Sequence, residues 1–269
     1  MNPEILDIVN TMRPISLEEM KDVRLMNRVD TKYLITSEQL LAILMGIHEH
    51  YYAQEIEGKR LAAYSTVYYD TPNLTMYTLH HDRRLVRDKV RVRTYLDSNL
   101  TFCEVKHKTN KGRTKKRRVE LKTENGKRKT ENGKRKTVPV LSMIEDELRA
   151  AEFRLPYPSE TLNASLETAF DRFTLVNEEK TERLTIDCNL VFNNFVSNTS
   201  ASMGSLVVME LKQDGRAHSL LKDVLLELRI KPYKISKYCI GTAMTRPDVK
   251  QNRFKKKLRR IQKLKTLNS

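Results

Sequence analysis

The chain has 269 residues, and its 50 Lys and Arg against 34 Asp and Glu give a formal net charge of +16 at pH 7. This excess predicts a polyanionic partner, such as a phosphate chain, a nucleotide, a nucleic acid or an acidic membrane surface. Three scattered cysteines argue against a disulfide framework or a cysteine zinc site. No apolar run is long enough to span a bilayer and the N-terminus does not resemble a signal peptide, so we expect a cytoplasmic protein.

The first part of the chain alternates short helices with strands. The expected elements are one or two short helices up to residue 23, a strand over Arg28–Ile35, a helix from about Ser37, a strand over 64–70 and a short helix or turn over 74–81. In the first strand, alternation places Arg28, Asp30 and Lys32 on one face.

Three consecutive strands then follow, each with one apolar and one charged face. Over residues 87–95 the charged face carries Arg87, Lys89, Arg91 and Arg93. The strands over 102–108 and 115–121 carry Glu104, Lys106 and Lys108, then Lys116, Arg118 and Glu120. Like charges opposite one another across a sheet are destabilising. We therefore expect a bound anion to neutralise this face.

The second half of the chain continues the pattern. Residues 123–129 (TENGKRK) recur unchanged as 130–136, which predicts a flexible surface insert. The further expected elements are a helix over 138–153, strands over 162–177, 181–193 and 205–213, and a helix over 217–229. The charged faces of the last two strands include Arg183, Asp187, Glu210 and Lys212. Residues 253–269 hold eight Lys or Arg and no acidic residue.

About eight strands with one charged face each predict an α+β fold. The simplest closed arrangement is an antiparallel eight-stranded β tunnel with a charged interior, flanked on its apolar side by amphipathic helices. We expect a single tunnel domain over residues 1–245, with the duplicated insert at 123–136, and a basic helical tail over 246–269.

The predicted lining suits a linear polyphosphate, because guanidinium groups pair bidentately with phosphate oxygens and lysines add point charges. Its cations are Lys32, Arg91, Arg93, Lys106, Lys116, Arg118, Arg183 and Lys212. The interspersed carboxylates Glu104, Glu120, Asp187 and Glu210 are expected either to bind a divalent cation or to act as counter-charges. For His80, His81 and His107 a surface or hydrogen-bonding role is expected first and a phosphate contact second.

In their order, the charged motifs resemble the VTC (vacuolar transporter chaperone) or polyphosphate polymerase domain family, a branch of the CYTH or triphosphate tunnel metalloenzyme superfamily. The resemblance rests on Arg28-x-x-x-Lys32-Tyr, Tyr68-Tyr-Asp-Thr-Pro72, Lys89-Val-Arg-Val-Arg93, Glu104-Val-Lys106, Lys116-Arg-Arg118, Phe170-Asp-Arg172, Arg183-Leu-Thr-Ile-Asp187, Met209-Glu-Leu-Lys212 and Lys234-Ile-Ser-Lys237. The composition and layout suggest a free-standing bacterial member.

The resemblance implies a metal-dependent polymerase that transfers the γ-phosphate of ATP to a growing polyphosphate chain. The residues it implies for catalysis are Lys32, Arg91, Arg93, Lys106 and Lys237. Those implied for phosphate binding are Lys116, Arg118, Arg172, Arg183, Lys212 and Lys234, and those for Mn²⁺ or Mg²⁺ are Glu210, Glu104 and Asp187.

Two other functions stay open at this point. An inorganic triphosphatase would use the same tunnel with water as the acceptor, and a non-catalytic module would only bind polyphosphate or another polyanion. We do not expect a nucleic acid, because aromatic residues make up 7% of the chain and tryptophan is absent. The basic tail could contact an acidic membrane, or could be a solvated helical extension.

Overall fold

A computed structural model of the chain describes residues 2–23, 28–121, 130–131, 134–135, 141, 145–215 and 218–267. The helices are α1 (Pro3–Thr11), α2 (Ser37–Ile47), α3 (Thr75–His81), α4 (Glu145–Ala150), α5 (Leu220–Glu227), α6 (Lys237–Thr245) and α7 (Lys255–Leu267). The strands are β1 (Arg13–Ile15), β2 (Arg28–Ile35), β3 (Tyr51–Gln54), β4 (Ala62–Asp70), β5 (Arg87–Tyr95), β6 (Leu100–Lys108), β7 (Thr114–Glu120), β8 (Thr130–Glu131), β9 (Lys134–Arg135), β10 (Asn163–Asn177), β11 (Glu182–Asn194), β12 (Ser200–Ser202) and β13 (Val207–Asp214).

Eight strands form one curled sheet in the order β2-β13-β11-β10-β4-β5-β6-β7, and every neighbouring pair is antiparallel. Within the described ranges no ladder joins β7 to β2, so the sheet is a curled half-barrel rather than a fully paired barrel. This confirms the predicted α+β fold with eight antiparallel strands around a tunnel.

The convex side of the sheet is covered by helices, as its apolar alternate positions require. α1, α2 and α5 pack on β2, β13, β11 and β10, where Ile43, Leu184 and Leu211 are fully buried. On β4–β7 a second cluster combines Val90 and Cys103 with residues around α4. These helices thus cover the apolar face of the strands that alternation places on the convex side.

The concave side becomes apolar toward one end. The strands that carry Lys32, Glu210 and Arg172 have buried apolar residues two positions away on the same face. These residues are Leu34, Val208 and Phe170, respectively. α6 packs on these positions, and Gly241 makes the approach possible. A Cβ at Gly241 would lie 2.5 Å from Cδ1 of Phe192, closer than a real contact allows. α6 therefore closes this end of the tunnel.

Some elements differ from the sequence predictions. The predicted helix over 138–153 falls partly outside the described residues, and its described part ends at Ala150. It ends there because Glu152 adopts a left-handed conformation (φ 50°) and the Phe153 N–H donates to the Leu148 carbonyl. β3 and α6 have no counterpart among the predicted elements, and the duplicated insert lies mostly outside the described residues. No helix in the described ranges is long and apolar enough to cross a membrane.

Candidate active site

A cavity of about 430 Å³ lies within the curl of the sheet, and all eight strands contribute to its wall. Its lining from the strands is Asp30, Lys32, Tyr68, Lys89, Arg91, Arg93, Lys106, Lys116, Arg172, Arg183, Asp187, Val208, Glu210 and Lys212. His80 from α3 and Ile235, Ser236 and Lys237 from the start of α6 complete it. A larger depression of about 950 Å³ near Arg117 mixes arginines with Glu145 and Glu152 and lacks this cationic excess.

Strand register explains why so many cations meet in one place. Alternation brings every second residue of β5 to the concave side. Across the ladder, Arg91 lies opposite Glu104, but Lys89 lies opposite Lys106, which in turn lies opposite Lys116 on β7. The sheet therefore holds three lysines side by side, an arrangement that favours binding of an anion.

The first of three charge clusters is centred on Glu104. Its side chain is 1% exposed and accepts from Arg91 Nε at 2.6 Å, while Lys116 Nζ contacts its other oxygen. Although burial opposes ionisation, the charges of Arg91 and Arg93 lower the pKa of Glu104 to about 2. Glu104 is thus a permanent anion beneath the cation layer.

The second cluster joins β10, β11 and α6 through Asp187. Arg172 donates to both carboxylate oxygens, at 2.5 and 2.9 Å, and Lys237 Nζ contacts Oδ2. Burial opposes the charge, but Arg172 and Lys237 hold the pKa of Asp187 below its ordinary value. Lys237 reaches this position because Ser236 caps α6, its Oγ accepting from the Cys239 N–H.

The third cluster is more open. Glu210 on β13 lies opposite Lys32 on β2, and the Lys32 Nζ donates to Glu210 Oε2 at 3.1 Å. The Glu210 side chain is 19% exposed, compared with 1% for Glu104. Although burial opposes the charge, Lys32 and Lys212 lower the pKa of Glu210 to about 2.

Burial and mutual repulsion lower the pKa values of other cations in the lining. The charge of Arg91, followed by burial, lowers the pKa of Lys106 to about 6. Burial and then Arg91 lower the pKa of Arg93 to about 10, and burial lowers that of Lys212 to about 8. The surroundings therefore destabilise the protonated form of these side chains, and a bound polyanion would stabilise it.

Most of the residues predicted for the site line this cavity. Arg118 and Lys234 do not: Arg118 is exposed and its guanidinium lies 5.0 Å from the Phe102 ring centroid, while Lys234 is exposed beside α7. Glu104 lies in the wall without being part of the open lining. The cavity is also lined by Lys89, His80 and Ser236, which were not among the predicted site residues. Lys89 could have been included, because it shares the charged face of Arg91 and Arg93. His80 and Ser236 carry no such local signal.

A divalent cation fits this donor set only together with a phosphate ligand. In the described part of the chain, no three His, Cys, Asp or Glu side chains come together as a metal cage. Glu104 and Asp187 each contact two cations, whereas the more open Glu210 is paired with Lys32. Mg²⁺ is commonly held by one or two carboxylates plus substrate phosphates. Glu210 is the residue best placed for that role.

The sequence model of the VTC domain matches residues 27–246, about four fifths of the chain. The chain belongs to the VTC-domain family. This confirms the family predicted from the order of the charged motifs. In this VTC domain the match spans all eight sheet strands and α6, and it ends before α7. No curated protein sequence matches the chain.

Solved structures similar to this VTC domain share little sequence with it. A Hippeastrum protein studied as an adenylyl cyclase, for which a dominant triphosphatase activity is described, has 13% identity and a TM-score of 0.48, covering 81% of this chain and 96% of its own. An adenylate cyclase candidate from Vibrio parahaemolyticus has 11% identity and a TM-score of 0.42, covering 80% and 97%. A Pyrococcus horikoshii protein has 11% identity and a TM-score of 0.42, covering 81% and 98%.

Proposed function

We propose that this VTC domain is a metal-dependent polyphosphate polymerase that transfers the γ-phosphate of ATP to a growing polyphosphate chain. The observation that carries the proposal is the lining itself. Eight strands and α6 direct lysines and arginines into one cavity, and the carboxylates Asp30, Asp187 and Glu210 lie among them. Linear triphosphates match such a lining, since each phosphate offers oxygens to several cations.

Within this proposal the cations position and neutralise the phosphates. Arg91, Arg93 and Arg172 are the fixed guanidinium groups, because burial and neighbouring carboxylates or hydroxyls hold them in place. Arg93 Nε, for example, donates to the Thr66 hydroxyl at 3.2 Å. Lys106 and Lys237 add charge where negative charge develops on the transferred group. Stabilising that charge with preorganised donors is the main means of catalysing phosphoryl transfer.

The reaction needs no covalent intermediate on the protein. A terminal oxygen of the acceptor chain attacks the γ-phosphorus of ATP, a new P–O–P bond forms, and the bond to the β-phosphate oxygen breaks to release ADP. Glu210 would hold the divalent cation, Mn²⁺ or Mg²⁺, which supplies Lewis-acid stabilisation of the phosphate oxygens. With water as acceptor the same cavity would be a triphosphatase, so the acceptor determines the reaction.

The test is incubation of the purified protein with γ-labelled ATP, MnCl₂ and a short polyphosphate primer, with the products separated by size. We expect long labelled chains from the wild type and a loss of at least about 100-fold in Arg93→Ala and in Glu210→Gln. Lys115→Ala, a cation removed from the exposed outer face of β7, is the matched control and should retain activity. Labelled orthophosphate without chains would identify a triphosphatase. Binding without turnover would identify a polyphosphate-binding module.

A further inference from the structure

The balance of charge on the concave side changes along β5 and β6. At the Arg91 register the opposite residue is the carboxylate Glu104, but the two registers toward the start of β5 pair cations with cations. Arg87 lies opposite Lys108, and Lys89 lies opposite Lys106. The nearby Asp88 belongs to the other face, where it contacts His107 Nδ1 at 2.8 Å. In the described ladders of β5, β6 and β7, no carboxylate lies opposite Arg87, Lys89, Lys106 or Lys108.

His80, in the last turn of α3, lies among these cations. The side chain lines the cavity, and its Nδ1 is buried with no hydrogen-bond partner among the described residues. Burial, together with the charges of Lys89, Arg87, Lys257 and Lys108, lowers the pKa of His80 to about 2, so the ring is neutral. A buried polar nitrogen without a partner is costly unless a ligand or water satisfies it.

The C-terminal helix contributes one of these cations. Lys257 on α7 is half-buried, its Nζ donates to the Lys234 carbonyl oxygen, and it lies 5.9 Å from the Tyr233 ring centroid. α7 lies beyond the residues that match the VTC-domain model. Lys257 is thus a cation near His80 that lies outside the residues matched by the VTC-domain model.

The cations continue along β5 and β6 beyond the residues that line the cavity. Lys89 and His80 line the cavity, and Lys89 Nζ donates to the Ser236 hydroxyl at 3.2 Å. Arg87 and Lys108 face each other at the next register of β5 and β6, beyond the lining. Lys257 contacts the carbonyl oxygen of Lys234, two residues before the cavity-lining Ser236. All three cations contribute to the low pKa of His80. Asp82, which follows α3, contacts His81 Nδ1 at 2.7 Å and Lys250 Nζ at 2.9 Å.

We propose that this group, which we call the His80 cluster (His80, Arg87, Lys89, Lys108 and Lys257), is a second phosphate subsite that binds the acceptor polyphosphate chain. It rests on the proposed function for the identity of the chain. The His80 Nδ1 either donates to a phosphate oxygen or accepts from a protonated phosphate. The carboxylate-bearing part of the cavity holds the triphosphate donor, and the carboxylate-free His80 cluster holds the chain that leads out to solvent.

The test is equilibrium binding without ATP, so that it does not depend on turnover. The probes are tripolyphosphate, which the inner cavity can hold alone, and long-chain polyphosphate, which also reaches the His80 cluster. We expect Lys257→Gln and Lys108→Gln each to weaken long-chain binding about fivefold and tripolyphosphate binding less than about twofold. Two variants on different elements guard against a local folding defect in either one. Lys256→Gln, an exposed neighbour on α7, should change neither affinity.

Three results would overturn the subsite. They are unchanged long-chain affinity in both variants, an equal loss for both probes, or an equal loss for a single-stranded oligonucleotide, which would mark a general polyanion surface. Failure of the proposed function is recognised separately. If the selective loss is found but labelled ATP yields no chains, the subsite stands and the polymerase reaction is wrong.

Discussion

At the scale of single residues, Glu104 and Glu210 carry the same charge but have different surroundings. Glu104 is buried between Arg91 and Lys116, while Glu210 faces the cavity beside Lys32. Removing one partner of a buried ion pair leaves the other charge uncompensated, which is strongly destabilising. We therefore propose that Glu104 stabilises the fold and that Glu210 serves the ligand.

Exchange of each carboxylate for its amide tests this division. Glu104→Gln should lower the free energy of unfolding by about 3 kcal/mol, because Arg91 and Lys116 lose their counter-charge. Glu210→Gln should lower it by less than about 1 kcal/mol but should abolish dependence of turnover on the divalent cation. Urea unfolding of both variants measures the first effect. Equal stability of the two variants would contradict the assignment.

Lys106 predicts a pH dependence of ligand binding. The pKa of Lys106 is lowered from 10.5 to about 6 in the free protein, so above pH 6 the amine is mostly neutral. Bound phosphates raise this pKa, and the protein takes up a proton on binding. Affinity therefore falls by up to about tenfold per pH unit above pH 6, while the stability of the free protein rises with pH because the unfolded state holds more protons.

Calorimetry of tripolyphosphate binding in buffers of different ionisation enthalpy measures this proton uptake. Lys106→Arg is the matched control, because arginine keeps its charge across the range. The variant should lose the uptake assigned to Lys106 and bind more tightly than the wild type at pH 9. The same proton uptake in both proteins would show that another group is responsible.

At the scale of elements, α7 is anchored to the domain by its apolar side. Phe254 is 6% exposed and its ring contacts Tyr77 and His81, while Ile261 is 2% exposed. Leu258 and Leu264 pack against the same cluster. The domain therefore covers the apolar side of α7, and the side left for the predicted contact with an acidic membrane is the basic one. That contact stays a prediction.

Phe254→Ala tests the docking of α7. It should lower the free energy of unfolding by about 3 kcal/mol, because a large aromatic side chain leaves a buried site. Phe254 directly precedes α7, and Leu267, the last residue of α7, is 68% exposed. Leu267→Ala should therefore have no measurable effect. Thermal or chemical unfolding of both variants is the measurement. If Phe254→Ala unfolds like the wild type, α7 is not part of the folded unit.

The strands could be predicted from the sequence because alternation is a local signal. In β5 it correctly placed Arg91 and Arg93 on the concave side. Alternation does not tell how far along the tunnel a residue lies, so it could not show that Arg118 stacks on Phe102 away from the cavity. His80 and Ser236 reach the site through tertiary packing. The Lys89–Ser236 hydrogen bond, for example, joins residues 147 positions apart.

At the scale of the whole molecule, the site is held together against its own charge. The chain carries a net charge of +16, and the lysines on β5, β6 and β7 face one another in register. The outer helices and the buried carboxylates stabilise a sheet whose concave face is unfavourable when empty. Proteins commonly trade stability for function at such sites.

Lys89→Met tests this trade. At about pH 5, where Lys106 is charged, removing one of the facing lysines should stabilise the free protein by about 0.5 kcal/mol, since a like-charge cross-strand pair with Lys106 is lost. It should also weaken binding of long-chain polyphosphate about tenfold. Lys115→Met, on the exposed outer face of β7, should change neither quantity. A destabilised Lys89→Met variant would show that the facing lysines are not under mutual repulsion.

The central claim is that the tunnel transfers phosphate to phosphate rather than to water. The most direct measurement is a ³¹P NMR time course of the protein with ATP, MgCl₂ and a short polyphosphate primer. We predict that the signal of internal chain phosphates grows as the ATP γ-phosphate signal disappears, with little orthophosphate, and that Arg93→Ala shows neither change. Orthophosphate growing in step with ATP loss, without new internal phosphates, would contradict the polymerase and leave a triphosphatase in the same tunnel.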